Sequence, residues 1–164
     1  MSILIESPLS VPLGRKRQFI LNLNNFRNLY FRSLNQAKII YKMIMKERLK
    51  EAVWWELDRV GIIYQVHKGD KRKYDVGNVA SVHQKFFEDA LTELGYISDD
   101  NKDNIPITAF VNGELDKGNP RVDIYIYNLK DKTDTSKFYK DLRQFGKDVI
   151  KKKWQIMRII LLRT

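Results

Sequence analysis

From Arg59 to His67 the chain carries Val60, Ile62, Ile63, Tyr64 and Val66, and soon afterwards its apolar residues take up the period of a helix. Side chains that are branched or ringed close to the backbone fit a pleated surface, so the first run is expected as a strand. Over Asn78 to Leu94 the stripe Val79, Val82, Phe86 and Ala90, widened by Phe87, Leu91 and Leu94, predicts a helix with one buried side. Gly95 follows where a left-handed C-cap is wanted. Neither element buries its apolar face alone, so the chain is confined to a sheet with helices laid on it.

Ile105, Ile107, Ala109 and Val111 alternate, as do Val122, Ile124 and Ile126, and a polar stretch over 112–120 joins them. The spacing predicts an antiparallel hairpin with a long loop. Pro106 marks an edge position or a strand start. Phe19-Ile20-Leu21 reads as a further short strand. Asn22 to Arg32 reads as an exposed loop, because asparagine side chains bond nearby backbone and favour turns. Ser33 is the expected cap of a helix over 34–53, with Ala37, Ile40, Tyr41, Ile44 and Leu49 on its apolar face. A last helix starts near Thr135 or Ser136 and carries Phe138, Leu142, Phe145 and Val149 on one face. It runs into Lys151-Lys152-Lys153, Trp154 and an apolar tail from Ile156 to Leu162. The expected fold is α/β in the α+β sense, a single small domain over 1–164. Its mixed or antiparallel sheet is packed by about three helices, with 130–164 a C-terminal helical extension.

A chain of 164 residues is close to the commonest domain size. The absence of cysteine excludes disulfides, thiolate catalysis and Cys-based zinc sites. Two histidines, His67 and His83, are too few for a His-rich metal centre, and His83 is expected as a packed helix residue. A net charge of +10 favours a polyanionic partner. No apolar run approaches the ~20 residues of a membrane span, and the N-terminus lacks a signal-peptide layout. The expectation is a soluble, cytoplasmic protein with no membrane partner.

Against this basic background the acids around the middle helix stand out. Asp75 lies just before it, in Tyr74-Asp75-Val76-Gly77-Asn78, and Asp99-Asp100 follow its end. Asn78, Lys85 and Asp89 share one helix face by their spacing. Paired acidic oxygens bind Mg²⁺ or Mn²⁺, and a metal with a lysine is what attack on a phosphodiester needs. The helix is about 22 to 25 Å long, so one ion reaches both ends only if the chain folds back after Gly95. Each part also has an ordinary role. Asp75 suits a helix cap, Lys85–Asp89 a solvated ion pair, and Asp99-Asp100-Asn101 a polar turn.

The order of residues from Lys71 to Asp100 resembles that of the RusA-type Holliday junction endonucleases, a group common in phages and prophages. The family pattern is an Asp-x-Asp-Asn entry, a helix with a lysine, then Asp-Ala-Leu, a glycine and a closing Asp-Asp. Here Asp89-Ala90-Leu91-Thr92-Glu93-Leu94-Gly95-Tyr96-Ile97-Ser98-Asp99-Asp100 matches the closing part without a gap. Asp75 matches the first acid, Asn78 the asparagine and Lys85 the lysine. Two departures stand beside the match. The segment between Asn78 and Lys85 is about four residues longer, close to one helical turn. Gly77 replaces the family's second acid. The resemblance is close over about thirty residues and loose elsewhere.

It implies a homodimer that binds four-way DNA junctions by shape and cuts them using Mg²⁺ or Mn²⁺. Asp75, Lys85 and Asp100 would be the catalytic set, with Lys85 on the scissile phosphate. Asp75 and Asp100 would hold the metal, with Asp99 and Asp89 as outer partners or replacements for the oxygen missing at position 77. Alternatively, the same scaffold keeps DNA binding without cleavage, or the basic surface packs on RNA or another protein. Lys68, Lys71, Arg72 and Lys73, with Arg15, Lys16 and Arg17, are expected to hold DNA phosphates, and Arg27 and Arg32 extend that surface. Phe26, Tyr30 and Phe31 either stack on unpaired bases or pack in the core. Trp54, Trp55 and the apolar tail are expected in the core or at a dimer interface.

Overall fold

The computed structural model describes residues 2–53 and 57–161, with 148–161 described by backbone alone. In chain order the elements are β1 (Ile3–Pro8), β2 (Ser10–Pro12), β3 (Gln18–Ile20), α1 (Leu23–Asn28), α2 (Phe31–Ala52), β4 (Val60–His67), α3 (Val76–Glu93), β5 (Ile107–Asn112), β6 (Arg121–Asn128) and α4 (Lys132–Leu161). Readings placed on Trp54 and Trp55, on the side chains of Val149, Lys151-Lys152-Lys153 and Trp154, and on the Ile156–Leu162 tail lie outside the described residues.

Four strands form one mixed sheet in the order β1-β6-β4-β5, and β2 and β3 pair separately. β6 runs antiparallel to both β1 and β4, whereas β5 runs parallel to β4. The expected hairpin between the segments that become β5 and β6 is therefore not formed. β4 lies between them, for a reason carried by its own residues: Val60, Ile62, Ile63, Tyr64 and Val66 are buried on both faces. A strand apolar on both faces belongs inside a sheet. α3 then returns the chain to the end where β4 began, so β5 sets out in the same direction. The loop after β5 crosses the far end of β4, where Gly113 N–H donates to the Val66 carbonyl and Asp116 N–H to that of Lys68, both at 2.9 Å. Arg121 fastens this crossing by bonding Asp123 and Asp116 at 2.7 and 2.8 Å. β5 occupies a sheet edge, as Pro106 suggests.

The sheet is covered on both sides. Ile62, Tyr64, Val66, Ile124 and Ile126 meet Tyr41, Met45 and Leu49 of α2 and Val82, Phe86, Phe87 and Leu91 of α3. On the other face Ile63 and Tyr127 meet Phe138, with Leu142 and Phe145 of α4 beside them. The fold is thus a single small α+β domain, with a mixed sheet and, among the described residues, four helices.

Two further expectations change. The Asn22–Arg32 segment contains a helix, α1, because Asn22 Oδ1 accepts from Asn25 N–H and caps it. Phe26 anchors α1 by its edge contact with Phe86, ring centroids 6.2 Å apart. α2 accordingly starts at Phe31, and Ser33 lies inside it instead of capping it. β1 has no counterpart in the sequence expectations. Its Ile3, Ile5 and Ser7 point inward while Leu4 and Glu6 face out. His83 is the packed residue expected, fully buried, with Nδ1 2.8 Å from Ser7 Oγ. Burial pushes its pKa down to about 3, so the ring is neutral. Among the described residues no helix is long and apolar enough to cross a membrane.

Candidate functional site

The site is organised by the way α3 ends. Gly95 adopts φ of 76°, and Tyr96 N–H reaches back to the Leu91 carbonyl at 2.9 Å. This left-handed cap reverses the chain, and Ile97 pins the reversal by entering the core. Asp99 then folds over its neighbours, its two oxygens accepting from Asp100 N–H and the Asn101 amide, each at 2.9 Å. Asn104 ties the loop to the start of β4, donating to the Asp58 carbonyl and accepting from Val60 N–H. The returning loop is thereby held alongside α3.

Asp100 in consequence stands 3.6 Å from Lys85 Nζ, although fifteen residues separate them in the chain. Lys85 Nζ is also 2.7 Å from Asp89 Oδ1, the pair expected from their spacing. The other oxygen of Asp89 takes Lys38 Nζ from α2 at 2.8 Å. Lys38, Asp89, Lys85 and Asp100 thus form a chain of alternating charge across two helices and a loop. The hydrogen bond to Asp89 raises the Lys85 pKa, burial opposes it, and the Asp89 and Asp100 charges add to the rise. Burial would raise the Asp89 carboxyl, but the two lysines outweigh it and hold it below the usual carboxylate range.

Glu88 lies beside this chain and was not singled out from the sequence. It is buried, with Oε1 3.5 Å from the Tyr64 hydroxyl and Oε2 3.3 Å from the Gln84 amide. Burial pushes its pKa up to about 7; the Gln84 hydrogen bond works against this, and the Asp100 charge adds to the rise. The one signal available was an acid falling between Phe87 and Leu91 on the apolar flank of the helix. Lys38 gave no signal, because its partner lies on another helix.

Asp75 is placed differently. It caps α3, with Oδ1 accepting from Gly77 N–H at 2.9 Å. Ten residues separate it from Lys85, about 15 Å along the axis, and it shares none of the ion pairs of that cluster. Asn78 Oδ1 accepts from Leu23 N–H at 2.8 Å, joining the first turn of α3 to α1. Gly77 is not left-handed, and a Cβ there would lie 3.3 Å from Asp75 Oδ1. Among the described residues, no group of three or more His, Asp or Glu is placed to hold a metal ion.

The basic residues sit on two exposed turns. Lys71, Arg72 and Lys73 are exposed just ahead of Asp75, and Arg15, Lys16 and Arg17 at the tip joining β2 to β3. Lys68 is more confined: it donates to the Arg72 carbonyl at 2.6 Å and lies over the Tyr74 ring. Of the aromatics, Phe26 is a packing residue, whereas Tyr30 and Phe31 are exposed and in edge contact with each other.

No protein-family model matches the chain, and no curated protein matches it either. The geometry therefore carries the functional argument. It offers two lysine ammoniums held by Asp89, with Asp100 beside one of them and the buried Glu88 near enough to respond to the Asp100 charge.

Proposed function

We propose that this protein is a RusA-like, structure-selective endonuclease that hydrolyses phosphodiester bonds in branched DNA with the help of Mg²⁺ or Mn²⁺. The observation that carries this reading is the return of the chain after Gly95. It sets the closing acid of the motif, Asp100, 3.6 Å from the motif's lysine, Lys85. A solvated turn after the helix has no need of that approach.

The donor set fits a hydrated ion better than an all-protein cage. Mg²⁺ keeps several waters and takes one or two carboxylates, and Asp100 is an exposed hard oxygen donor whose charge is felt at Glu88. Glu88, held toward its neutral form partly by the Asp100 charge, is a group whose carboxylate a nearby cation would favour. When bound, the ion would polarise the phosphodiester and supply an activated water. Lys85 would neutralise the phosphate as charge develops on it. Asp89 positions Lys85, and Asp99 fixes the peptide that carries Asp100. The two basic turns would follow the DNA backbone. A homodimer with two-fold symmetry would present two such sites to matching strands of a junction. By the same resemblance the protein would act in the cytoplasm as a phage or prophage product.

A second reading, DNA binding without cleavage, is favoured by one observation. Asp75, the family's first acid, spends an oxygen on the Gly77 N–H, and position 77 brings no carboxylate of its own. Incubation of the pure protein with a synthetic four-way junction, with Mg²⁺, with Mn²⁺ and with chelator, separates the two. Metal-dependent nicking at the branch supports the nuclease. Tight, metal-independent binding with intact strands supports the binder.

A further inference from the structure

We propose that Lys38 and Lys85 together form a seat for a backbone phosphate of the nucleic acid, and that Asp89 positions both ammoniums instead of ligating metal. The inference deepens the proposed function and rests on that reading. Asp89 has one lysine on each oxygen, Lys85 at 2.7 Å and Lys38 at 2.8 Å. A carboxylate with one ammonium on each oxygen is well placed to hold two cations at a fixed separation, and those two charges repel a metal ion from it. The triad carries a net charge of +1, and Asp100 balances it only through the longer 3.6 Å approach to Lys85. An ammonium has three donors, so Lys38 retains two after bonding Asp89, and Lys85 retains at least one beside Asp89 and Asp100. Both are within reach of solvent, their side chains 33% and 52% exposed.

Lys38 stands 5.8 Å from the centre of the Phe86 ring, and it shares with Lys42 and Glu93 a groove of about 240 Å³ between α2 and α3. What distinguishes the two lysines is how they are paired. Lys42, one turn further along the same helix, pairs with Glu93 one to one. That pair is neutral and serves to lace the helices together. Lys38 and Lys85, by contrast, share one carboxylate, and the second negative charge, Asp100, stands only at 3.6 Å from Lys85.

The test is fluorescence-anisotropy titration of the full-length chain with a labelled four-way junction in chelator, over a series of salt concentrations. Each lost phosphate contact lowers the slope of log K against log salt by about 0.9. Lys38→Gln is expected to lower the slope by about one and weaken binding severalfold, while Lys38→Arg keeps both and Lys42→Gln changes neither. An unchanged slope in Lys38→Gln, or an equal loss in Lys42→Gln, overturns the seat and leaves Lys38 as a strut between helices. Cleavage assays separate this from the wider reading. Binding that depends on Lys38 without any cleavage keeps the seat and refutes the nuclease. Cleavage whose kcat/KM and salt slope ignore Lys38 keeps the nuclease and refutes the seat. Failure to bind junction, duplex or single strand refutes both.

Discussion

Glu88 is held where its acid form is favoured over its carboxylate, and that has a measurable consequence. Its pKa in the fold, about 7, lies above the ordinary glutamate value of 4.5, chiefly through burial. A group raised in this way costs the fold nothing below the unfolded value. The penalty grows as pH rises through the interval between 4.5 and about 7 and is complete above it. Glu88→Gln is therefore expected to be more stable than the parent at pH 8, by on the order of 2 kcal/mol after allowing for solvent screening. Near pH 4 the two should coincide. Urea unfolding at both pH values measures this, and a difference independent of pH contradicts it. Asp75 offers a second residue-scale test, because Asn caps a helix as well as Asp does. Asp75→Ala should lose about 1 kcal/mol, and Asp75→Asn close to nothing. If Asp75→Asn melts like the parent but does not cut DNA, its charge belongs to the chemistry; if it still cuts, Asp75 is a cap alone. The cap and the Lys85–Asp89 pair were legible in the sequence because both partners lie within one helical turn. Glu88 and Lys38 were not, because what defines them comes from Tyr64 and Asp100 in one case and from another helix in the other.

At the scale of elements, alternation identified β5 and β6 as strands but not as neighbours. Alternation tells which side chains share a face and is silent about which strand lies alongside. The missing information was in β4, whose two-sided burial requires a strand on each flank. The same segment shows how closely the crossing loop is fitted. A Cβ at Gly113 would meet the His67 ring at 2.7 Å, and that ring also stands 3.1 Å from Asp123. Gly113→Ala is expected to cost about 1–3 kcal/mol, since a confined ring has to move. Gly118→Ala, whose Cβ would come no nearer than 3.7 Å to Asp116, should cost far less. Chemical denaturation of both variants checks the contrast, and equal losses would mean the crossing is not tightly packed. α1 escaped notice for a different reason. Its six residues bury none of their own number fully, and it depends on the Asn22 cap, the Asn78 bond and the Phe26 contact with α3.

For the whole molecule, the net charge of +10 pointed to a polyanion without saying which surface meets it. The fold puts the basic turn 71–73 directly before α3, at the end of the helix remote from Gly95. Combined replacement of Lys71, Arg72 and Lys73 by alanine should flatten the salt dependence of junction binding by up to about three slope units. An unchanged slope would remove this turn from the DNA surface. The acids needed the third dimension as well. Their order suggested a site, but only the reversal at Gly95 brings Asp100 back to Lys85, and the same helix leaves Asp75 at its first turn. The most direct test of the nuclease reading is therefore Asp100→Asn, assayed beside the parent for cutting of a four-way junction in Mg²⁺ or Mn²⁺ and for binding in chelator. The expected result is cutting by the parent, none by Asp100→Asn, and junction affinity equal or higher in the variant because one repelling charge is gone. Cutting that persists in Asp100→Asn would contradict the assignment and place the chemistry elsewhere on the molecule.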